Sequence, residues 1–157
     1  MFGRLSPELL VANSALSTAF SKGVHITHLK LQKLVYFVYK KHLKDRGQAL
    51  FGEFFEVWTY GPVLPSVYQA FKKYGSDRIT DYAYPSNAIR KKVFVVSSDD
   101  REFYAALAWV WAVYGGLDAM KLVDITHREG TAWHKADARK SAFMDDMDIM
   151  REEWLYE

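Results

Sequence analysis

Apolar residues recur at helical spacing near the start of the chain, and the first such stretch predicts a helix. Its beginning is marked by Ser6-Pro7-Glu8: Ser6 can cap the free amides, Pro7 suits the first helical position, and Glu8 favours the positive end of the helix dipole. The positions that share one face are Leu9, Asn13, Leu16 and Phe20. Gly23 is predicted to end this helix.

The second predicted helix runs between a capping Thr27 and a terminating Gly47 and is strongly amphipathic. One face carries Leu31, Leu34, Val35, Val38 and His42. The opposite face carries Lys30, Lys33, Lys40, Lys41 and Lys44, with Phe37 in their middle. We therefore expect the apolar face to pack on the core and the lysine face to point outwards.

The middle of the chain has the composition of strands and turns. Residues 49–60 are rich in residues that suit a strand, and Phe55, Val57 and Thr59 alternate with Glu56, Trp58 and Tyr60, which predicts a strand that Gly61-Pro62 interrupts. Pro65 is placed to open a helix through Phe71 that ends at Gly75. Residues 76–98 are predicted to be loop and strand, with strand character at 93–96.

Helical signals return in the C-terminal half. Ser98 can cap a helix with three acidic residues in its first turn, and Gly115-Gly116 can end it. A helix over residues 117–127 should follow and stop near Gly130, and Ser141 can cap a last one that places Phe143, Met147, Met150 and Trp154 on one face. The predicted fold class is α+β: a mainly helical single domain with a small β-hairpin or short sheet.

Length and composition fit one domain over residues 1–157. Half of the 157 residues are apolar and 16% are aromatic, which excludes intrinsic disorder. The chain has no cysteine, which excludes disulfides, thiolate metal sites and cysteine nucleophiles. The N-terminus lacks the build of a signal peptide and no apolar run approaches about 18 residues, so we expect a soluble, cytoplasmic protein without membrane contact.

The net charge of +2 conceals an imbalance between the two halves. Residues 1–92 hold 14 Lys+Arg and 6 Asp+Glu, a balance of +8, and residues 93–157 hold 7 and 13, a balance of −6. This asymmetry indicates either a polyanionic or charged protein partner for one face, or halves that neutralise each other in the folded domain.

Motifs of several enzyme classes are missing from the sequence. It contains no G-x-S-x-G, no Gly-rich phosphate loop and no H-E-x-x-H. His25 and His28 have a spacing that suits a metal, but they are also explained as an ordinary cap or surface pair at a helix start. We predict neither a metal nor a cofactor.

The richest polar group is Thr126, His127 and Glu129, with Trp133 close behind. Its His-x-Glu is similar to that of zinc deaminases, but their second motif needs paired cysteines, which this chain lacks. General acid–base chemistry by His127 and Glu129 is one reading. The other, which we favour, is a polar network that holds the helix end and the Trp133 loop.

The lysine face and the large aromatic residues suggest binding. Five lysines around Phe37 can neutralise phosphates and stack a base, although the face has no arginine for base recognition, so nucleic acid is the weaker interpretation. A solvated face is the alternative. Tryptophan and tyrosine typify protein-binding hot spots, so aromatic residues in excess of the core favour a protein partner.

Three segments resemble the signatures of one family, the Panacea or SocA-like antitoxin domain (DUF4065). The segments are ITHLKLQKLVYF at 26–37, FEVWTYGPVLPSVY at 55–68, and LVDITHREGTAW at 122–133. They follow one another in the family's order. One departure is Ala132, where the family usually has proline before the last tryptophan.

The resemblance implies an antitoxin of a toxin–antitoxin pair, of the kind common in prophages and bacterial genomes, and no enzyme. Such domains neutralise toxins of several folds by direct contact, and one similar member delivers its toxin to a ClpXP-type protease. The implied partner is a cognate toxin encoded by the adjacent gene.

The lysine face, Phe37 and the neighbouring Tyr60-Gly61-Pro62 turn are our predicted partner surface. Its residues are Lys30, Gln32, Lys33, Tyr36, Phe37, Lys40, Lys44, Trp58, Tyr60, Gly61, Pro62 and Tyr68. The alternative is structural: Gly61 and Pro62 shape the turn, and Gln32, Lys33 and Tyr36 hold it.

Overall fold

The computed structural model describes residues 4–89 and 91–154, and in this part of the chain it has seven α-helices and two short strands. The elements are α1 (Pro7–Lys22), α2 (His28–Arg46), β1 (Glu56–Trp58), β2 (Gly61–Val63), α3 (Pro65–Phe71), α4 (Arg101–Tyr114), α5 (Ala119–His127), α6 (Ala132–Ala138) and α7 (Asp146–Arg151). A 3₁₀ turn, Lys72–Tyr74, extends α3. The fold is α+β and mainly helical, which confirms the predicted class.

Helix α2 is the centre of the fold. Its ends are those that the sequence predicts: the Thr27 side chain accepts from the amide of Lys30, and Gly47 ends the helix in the left-handed conformation. Every residue from 30 to 40 is buried. The helix is enclosed because α1, α4, α5, α7 and β2 all pack against it.

The two strands form an antiparallel hairpin in which Glu56 pairs with Val63 and Trp58 with Gly61. The prediction of a strand over 49–60 is correct only for its end, and Gly61-Pro62 begins β2 instead of interrupting a strand. Residues 142–144 occupy the free edge of β1: the amide of Val57 donates to the carbonyl of Ala142 at 3.0 Å. The hairpin turn, Thr59-Tyr60, lies at the surface beyond these paired segments.

The prediction of a strand at 93–96 is wrong, since these described residues adopt no regular structure. Side chains of α1 take the place of strand partners. Asn13 donates to the carbonyls of Ala83 and Phe94, both at 2.9 Å, and the amide of Val96 donates to Ser14 Oγ at 3.0 Å. Local composition favoured a strand, but the backbone groups found partners on a helix.

The C-terminal helices differ from the predicted ones at their starts. Asp100, not Ser98, caps α4, and Asp145, not Ser141, caps α7 by accepting from two amides. Helix α5 begins at Ala119, and α6, capped by Thr131, was not predicted at all. In each case an acceptor side chain nearer to the first free amides provides the cap.

Within residues 4–89 and 91–154, no single helix is long and apolar enough to cross a membrane. The bent pair α4 and α5, at 103°, passes that test by length and composition alone. Both helices pack against α2 in the hydrophobic core.

Candidate partner-binding site

The lysines of α2 are internal, and the prediction of an outward lysine face is wrong for most of it. Lys33 is 0% exposed, Lys40 1% and Lys30 8%, while Lys41 and Lys44 are half-buried. The physical reason is the central position of α2, which leaves neither face to solvent. Lysine side chains can be buried there because their ammonium groups find acceptors.

Four of these ammonium groups donate to backbone carbonyls at the ends of other elements. Lys30 Nζ lies 2.7 Å from the carbonyl of Gly115, at the end of α4. Lys33 Nζ lies 3.0 Å from the carbonyl of Pro62 in β2. The other two bind carbonyls in the last turn of α7 and just after it: Lys40 Nζ lies 2.7 Å from the carbonyl of Glu153, and Lys44 Nζ lies 2.8 Å from those of Met150 and Glu152. The lysine face therefore fastens the fold together.

The other α2 residues of the predicted partner surface are also buried. Phe37 stacks on Tyr114 with ring centroids 4.1 Å apart and an 8° angle between the ring planes, so it is not available to a nucleic-acid base. The Tyr36 hydroxyl donates to Glu152 Oε1 at 3.2 Å. Gln32 is 1% exposed. In this structure these side chains present no surface to a partner.

Glu152 is the buried acidic partner that the sequence did not reveal. Its carboxylate pairs with Lys40 at 2.5 Å and also accepts from the amide of Ala132 at 2.7 Å. Burial lowers the pKa of Lys40, and the charge of Glu152 opposes that effect. The Ala132 contact also explains the departure from the family pattern, because a proline at that position has no N–H to donate to Glu152.

The β1–β2 hairpin is held from below by two α2 side chains. The amide group of Gln32 donates to the carbonyl of Leu64 at 3.1 Å and accepts from its N–H at 3.0 Å, so it occupies the outer edge of the hairpin as a strand would. Lys33 binds the carbonyl of Pro62 on the same edge. This arrangement supports the structural alternative for Gln32 and Lys33.

Gly61 is required where the hairpin meets α2 and α5. Its φ of +103° is one that other residues rarely adopt. A Cβ atom on Gly61 would lie 2.7 Å from Lys33 Cε and 2.7 Å from Thr126 Oγ1. The close approach of turn, lysine and threonine therefore depends on the absence of a side chain.

The residues of the predicted polar network meet the other side of the hairpin. The indole N–H of Trp133 donates to the carbonyl of Trp58 at 3.0 Å, and the His127 ring lies 3.9 Å from the Trp133 ring. Thr126 is tied to Thr131, whose hydroxyl donates to its carbonyl at 2.8 Å. Thr126, His127 and Trp133 thus connect α5 and α6 to the hairpin.

Glu129 lies apart from this network. It is exposed after α5, and among the described hydrogen bonds and ion pairs none joins it to His127.

His25 lies 2.6 Å from Arg78, and His28 packs edge-on against Tyr68. The described residues include no group of three or more His, Asp or Glu side chains that could hold a metal ion.

Three side chains with basic nitrogen atoms lie near the hairpin: His28, Lys33 and His127. Burial lowers the pKa of each of them. It lowers the pKa of Lys33 to about 7. The pKa values of His28 and His127 are also lowered, first by burial and then by the charge of Lys33. For His127, Asp137, Asp124 and a hydrogen bond to the Thr59 backbone oppose the shift. Burial and the charge of Lys33 therefore disfavour the charged form of both imidazoles.

The exposed part of the predicted surface is the turn of the hairpin and the pocket beside it, whereas Gly61 and Pro62 in β2 are buried. Tyr60 is 56% exposed at the turn, and Trp58 and Tyr68 are half-buried with ring centroids 4.8 Å apart. The pocket has a volume of about 470 Å³. Its lining consists of His28, Leu29, Gln32, Val57, Trp58, Thr59, Tyr60, Val63 and Tyr68. These are residues of the first two signature segments, brought together by α2, the hairpin and α3.

Comparison with known proteins gives a consistent result. The family model described as "Antitoxin SocA-like, Panacea domain" matches residues 31–134. The chain is 34% identical over 124 residues to Antitoxin SocA of Caulobacter vibrioides, a match that covers 78% of this chain and 66% of that relative. The match thus spans just under two thirds of the relative's length. No solved structure matches the chain.

The matched region includes most of α2 and all of the hairpin, α5 and the start of α6. These are the elements that build the pocket and hold it in place. The chain belongs to the antitoxin SocA-like family and carries its Panacea domain.

Proposed function

We propose that this protein is an antitoxin that neutralises a cognate protein toxin by binding it directly through the β1–β2 hairpin and its pocket. Family membership and the antitoxin relative support the role. The single observation that supports the surface is the grouping of Trp58, Tyr60 and Tyr68 around an open pocket. Aromatic side chains of this kind dominate the energetics of protein interfaces.

The hairpin replaces the lysine face as the site of binding because of where the two lie. Lys33 and Lys40 are enclosed and already hydrogen-bonded, whereas the Tyr60 ring projects at the turn. The turn is also held firmly by Gln32, Lys33 and Trp133, so little conformational entropy is lost when a partner binds. A stable interface of about 800 Å² per partner would extend from the pocket over the neighbouring surface.

The test is co-expression with the protein encoded by the adjacent gene. We expect that protein alone to arrest growth, the pair to restore growth, and the two proteins to purify together. Tyr60→Ala should weaken binding by about 2 kcal/mol, or roughly 30-fold, because it removes an interface aromatic ring. Met120→Ala is the matched control, since Met120 on α5 is 57% exposed and lies outside the pocket.

Two results would contradict the proposal: a neighbour that is harmless alone, or a toxic neighbour that the protein neither binds nor neutralises. The lifetime of the toxin separates two routes to neutralisation. An unchanged lifetime supports inhibition by occupancy. A lifetime that shortens only when a ClpXP-type protease is present supports delivery for degradation.

A further inference from the structure

The walls of the pocket beside the hairpin are aromatic rings from three elements. Trp58 and Tyr60 come from β1 and its turn, Tyr68 from α3, and His28 from the first turn of α2. The ring planes of Trp58 and Tyr68 are 61° apart, and those of His28 and Tyr68 are 71° apart with centroids at 5.9 Å. Tyr68 thus packs edge-on against both Trp58 and His28, and the three rings form one continuous wall.

Two polar side chains of the lining are engaged by neighbouring residues, whereas His28 Nδ1 is buried without a hydrogen-bond partner among the described residues. The Gln32 amide is paired with Leu64, and the Trp58 N–H donates to Glu56 Oε1 at 2.9 Å. Burial and then the charge of Lys33 lower the pKa of His28 and disfavour its charged form. Apart from Gln32 and Thr59, the lining consists of ring side chains and of the apolar side chains of Leu29, Val57 and Val63.

The negative faces of aromatic rings attract cations, and tryptophan does so best. The carboxylate that accepts the Trp58 N–H strengthens this effect, because it places negative charge beside the same indole. Guanidinium is more weakly hydrated than ammonium and stacks flat on rings, so it loses less hydration free energy on entering a site whose walls are mostly rings. The pocket chemistry favours arginine over lysine for these reasons.

We propose that this pocket binds the guanidinium group of an arginine side chain on a protein partner, against the aromatic wall that Trp58, Tyr60 and Tyr68 form. The inference rests on the proposed function in that the arginine belongs to the toxin. It adds to that function the chemical class of the residue that the hairpin recognises. The volume of about 470 Å³ leaves room for the side chain and some water.

The test uses small probes, so it does not depend on the toxin. N-acetyl-arginine amide is titrated into the ¹⁵N-labelled protein at neutral pH, beside its neutral isostere N-acetyl-citrulline amide and N-acetyl-leucine amide. The readout is the indole N–H resonance of Trp58, which is assigned by its loss in Trp58→Phe. We expect a saturable shift with the arginine probe at millimolar concentration and at least threefold weaker binding of the other two.

Tyr60→Leu should weaken binding of the arginine probe by about two- to fivefold, because it removes one ring and keeps an apolar side chain. Phe54→Leu is the matched control, since Phe54 is 57% exposed and lies outside the pocket lining. Both positions are exposed, so the fold is retained in either variant.

Several outcomes would overturn the inference: no saturable shift with the arginine probe, equal binding of the citrulline probe, or tighter binding of the leucine probe. The last would indicate an apolar anchor instead. Toxin binding without arginine selectivity would refute this inference alone. Arginine selectivity in a protein that binds no toxin would refute the proposed function and leave the chemistry of the pocket standing.

Discussion

The lysine face of α2 and the β1–β2 turn both carry residues typical of a partner surface, yet most of the lysine face is enclosed whereas the turn reaches solvent. Lys33 and Lys40 are enclosed by neighbouring elements, whereas more than half of the Tyr60 side chain is exposed. Both regions also belong to the segments that resemble the family signatures. Their contrast shows that a signature can combine residues that hold a site with residues that form it.

The difference follows from what surrounds each region. Carbonyls at helix ends and strand edges need donors, and several of them lie around α2. A lysine ammonium offers three donors on a flexible stem, so it can reach such carbonyls from the centre of the fold. The carbonyls of Gly115, Pro62 and Met150 are satisfied in this way. The turn has no element above it, so its aromatic ring stays outside.

The largest expected effect comes from breaking the buried pair of the lysine face. Glu152→Gln should lower the free energy of unfolding by about 3–5 kcal/mol, because it leaves the buried Lys40 without a counter-charge. Chemical denaturation followed by circular dichroism measures the change. The matched control is Glu153→Gln, since Glu153 is exposed, its hydrogen bond to Lys40 comes from the backbone carbonyl, and its charge affects the pKa of Lys40 less than the charge of Glu152 does.

Equal, small effects of the two substitutions would mean that the Lys40–Glu152 pair does not hold the C-terminal segment. The lysine face would then no longer differ from an ordinary polar surface. A large effect confined to Glu152 would confirm its internal role.

The next effect tests how closely the turn is fitted to the lysine face. Gly61→Ala should destabilise the protein by about 2–3 kcal/mol, because the residue has a φ of +103° and its Cβ would contact Lys33 and Thr126 at 2.7 Å. Gly52→Ala is the control, since a Cβ there meets nothing within 4 Å. Unfolding curves of both variants measure the difference.

If Gly61→Ala were no more destabilising than Gly52→Ala, the turn would be free to move away from α2. It would then be a mobile loop instead of a fixed platform. The proposed low entropy loss on partner binding would lose its basis.

Local signals in the sequence predicted the parts of the fold that depend on neighbours along the chain. Ser6 and Thr27 cap α1 and α2, and Gly23 and Gly47 end them, as expected. These interactions join residues only three or four positions apart, so the order of residue types is sufficient to predict them.

The fate of the lysines depends on contacts that no local pattern encodes. Lys30 and Gly115 are 85 residues apart, and Lys40 and Glu152 are 112 apart. The same holds for residues 93–96, whose backbone partners are side chains of α1. Amphipathic spacing predicts which side of a helix is apolar, but it cannot show that other elements also cover the polar side.

The pocket could be foreseen only in part. Trp58, Tyr60 and Tyr68 were singled out for their type, and the structure places them together. His28 was considered as a metal ligand, and its position as a pocket wall follows from its edge-on contact with Tyr68. Glu56 and Glu152 gave no signal, because single carboxylates in a chain with 19 acidic residues are not distinctive.

The smallest expected effect is the pH dependence of stability that Lys33 causes at the point where the lysine face meets the turn. The folded-state pKa of Lys33 is about 7, and that of an unfolded lysine is about 10.4. Between these values the unfolded chain binds more protons, so stability should rise with pH. We expect a gain of about 2 kcal/mol from pH 7 to 9, below the limit of about 1.36 kcal/mol per pH unit.

Lys33→Met should remove most of that rise, because its side chain fills the space without a titrating group. Lys41→Met is the control, since Lys41 is half-buried and pairs with Asp45 at the helix surface. The window stops at pH 9 because the raised pKa values of Tyr36 and Tyr39 reverse the slope above the pKa of an unfolded tyrosine, about 10. If the stability of Lys33→Met still rises between pH 7 and 9, the rise comes from another titrating group. Lys33 would then be charged beneath the turn at neutral pH.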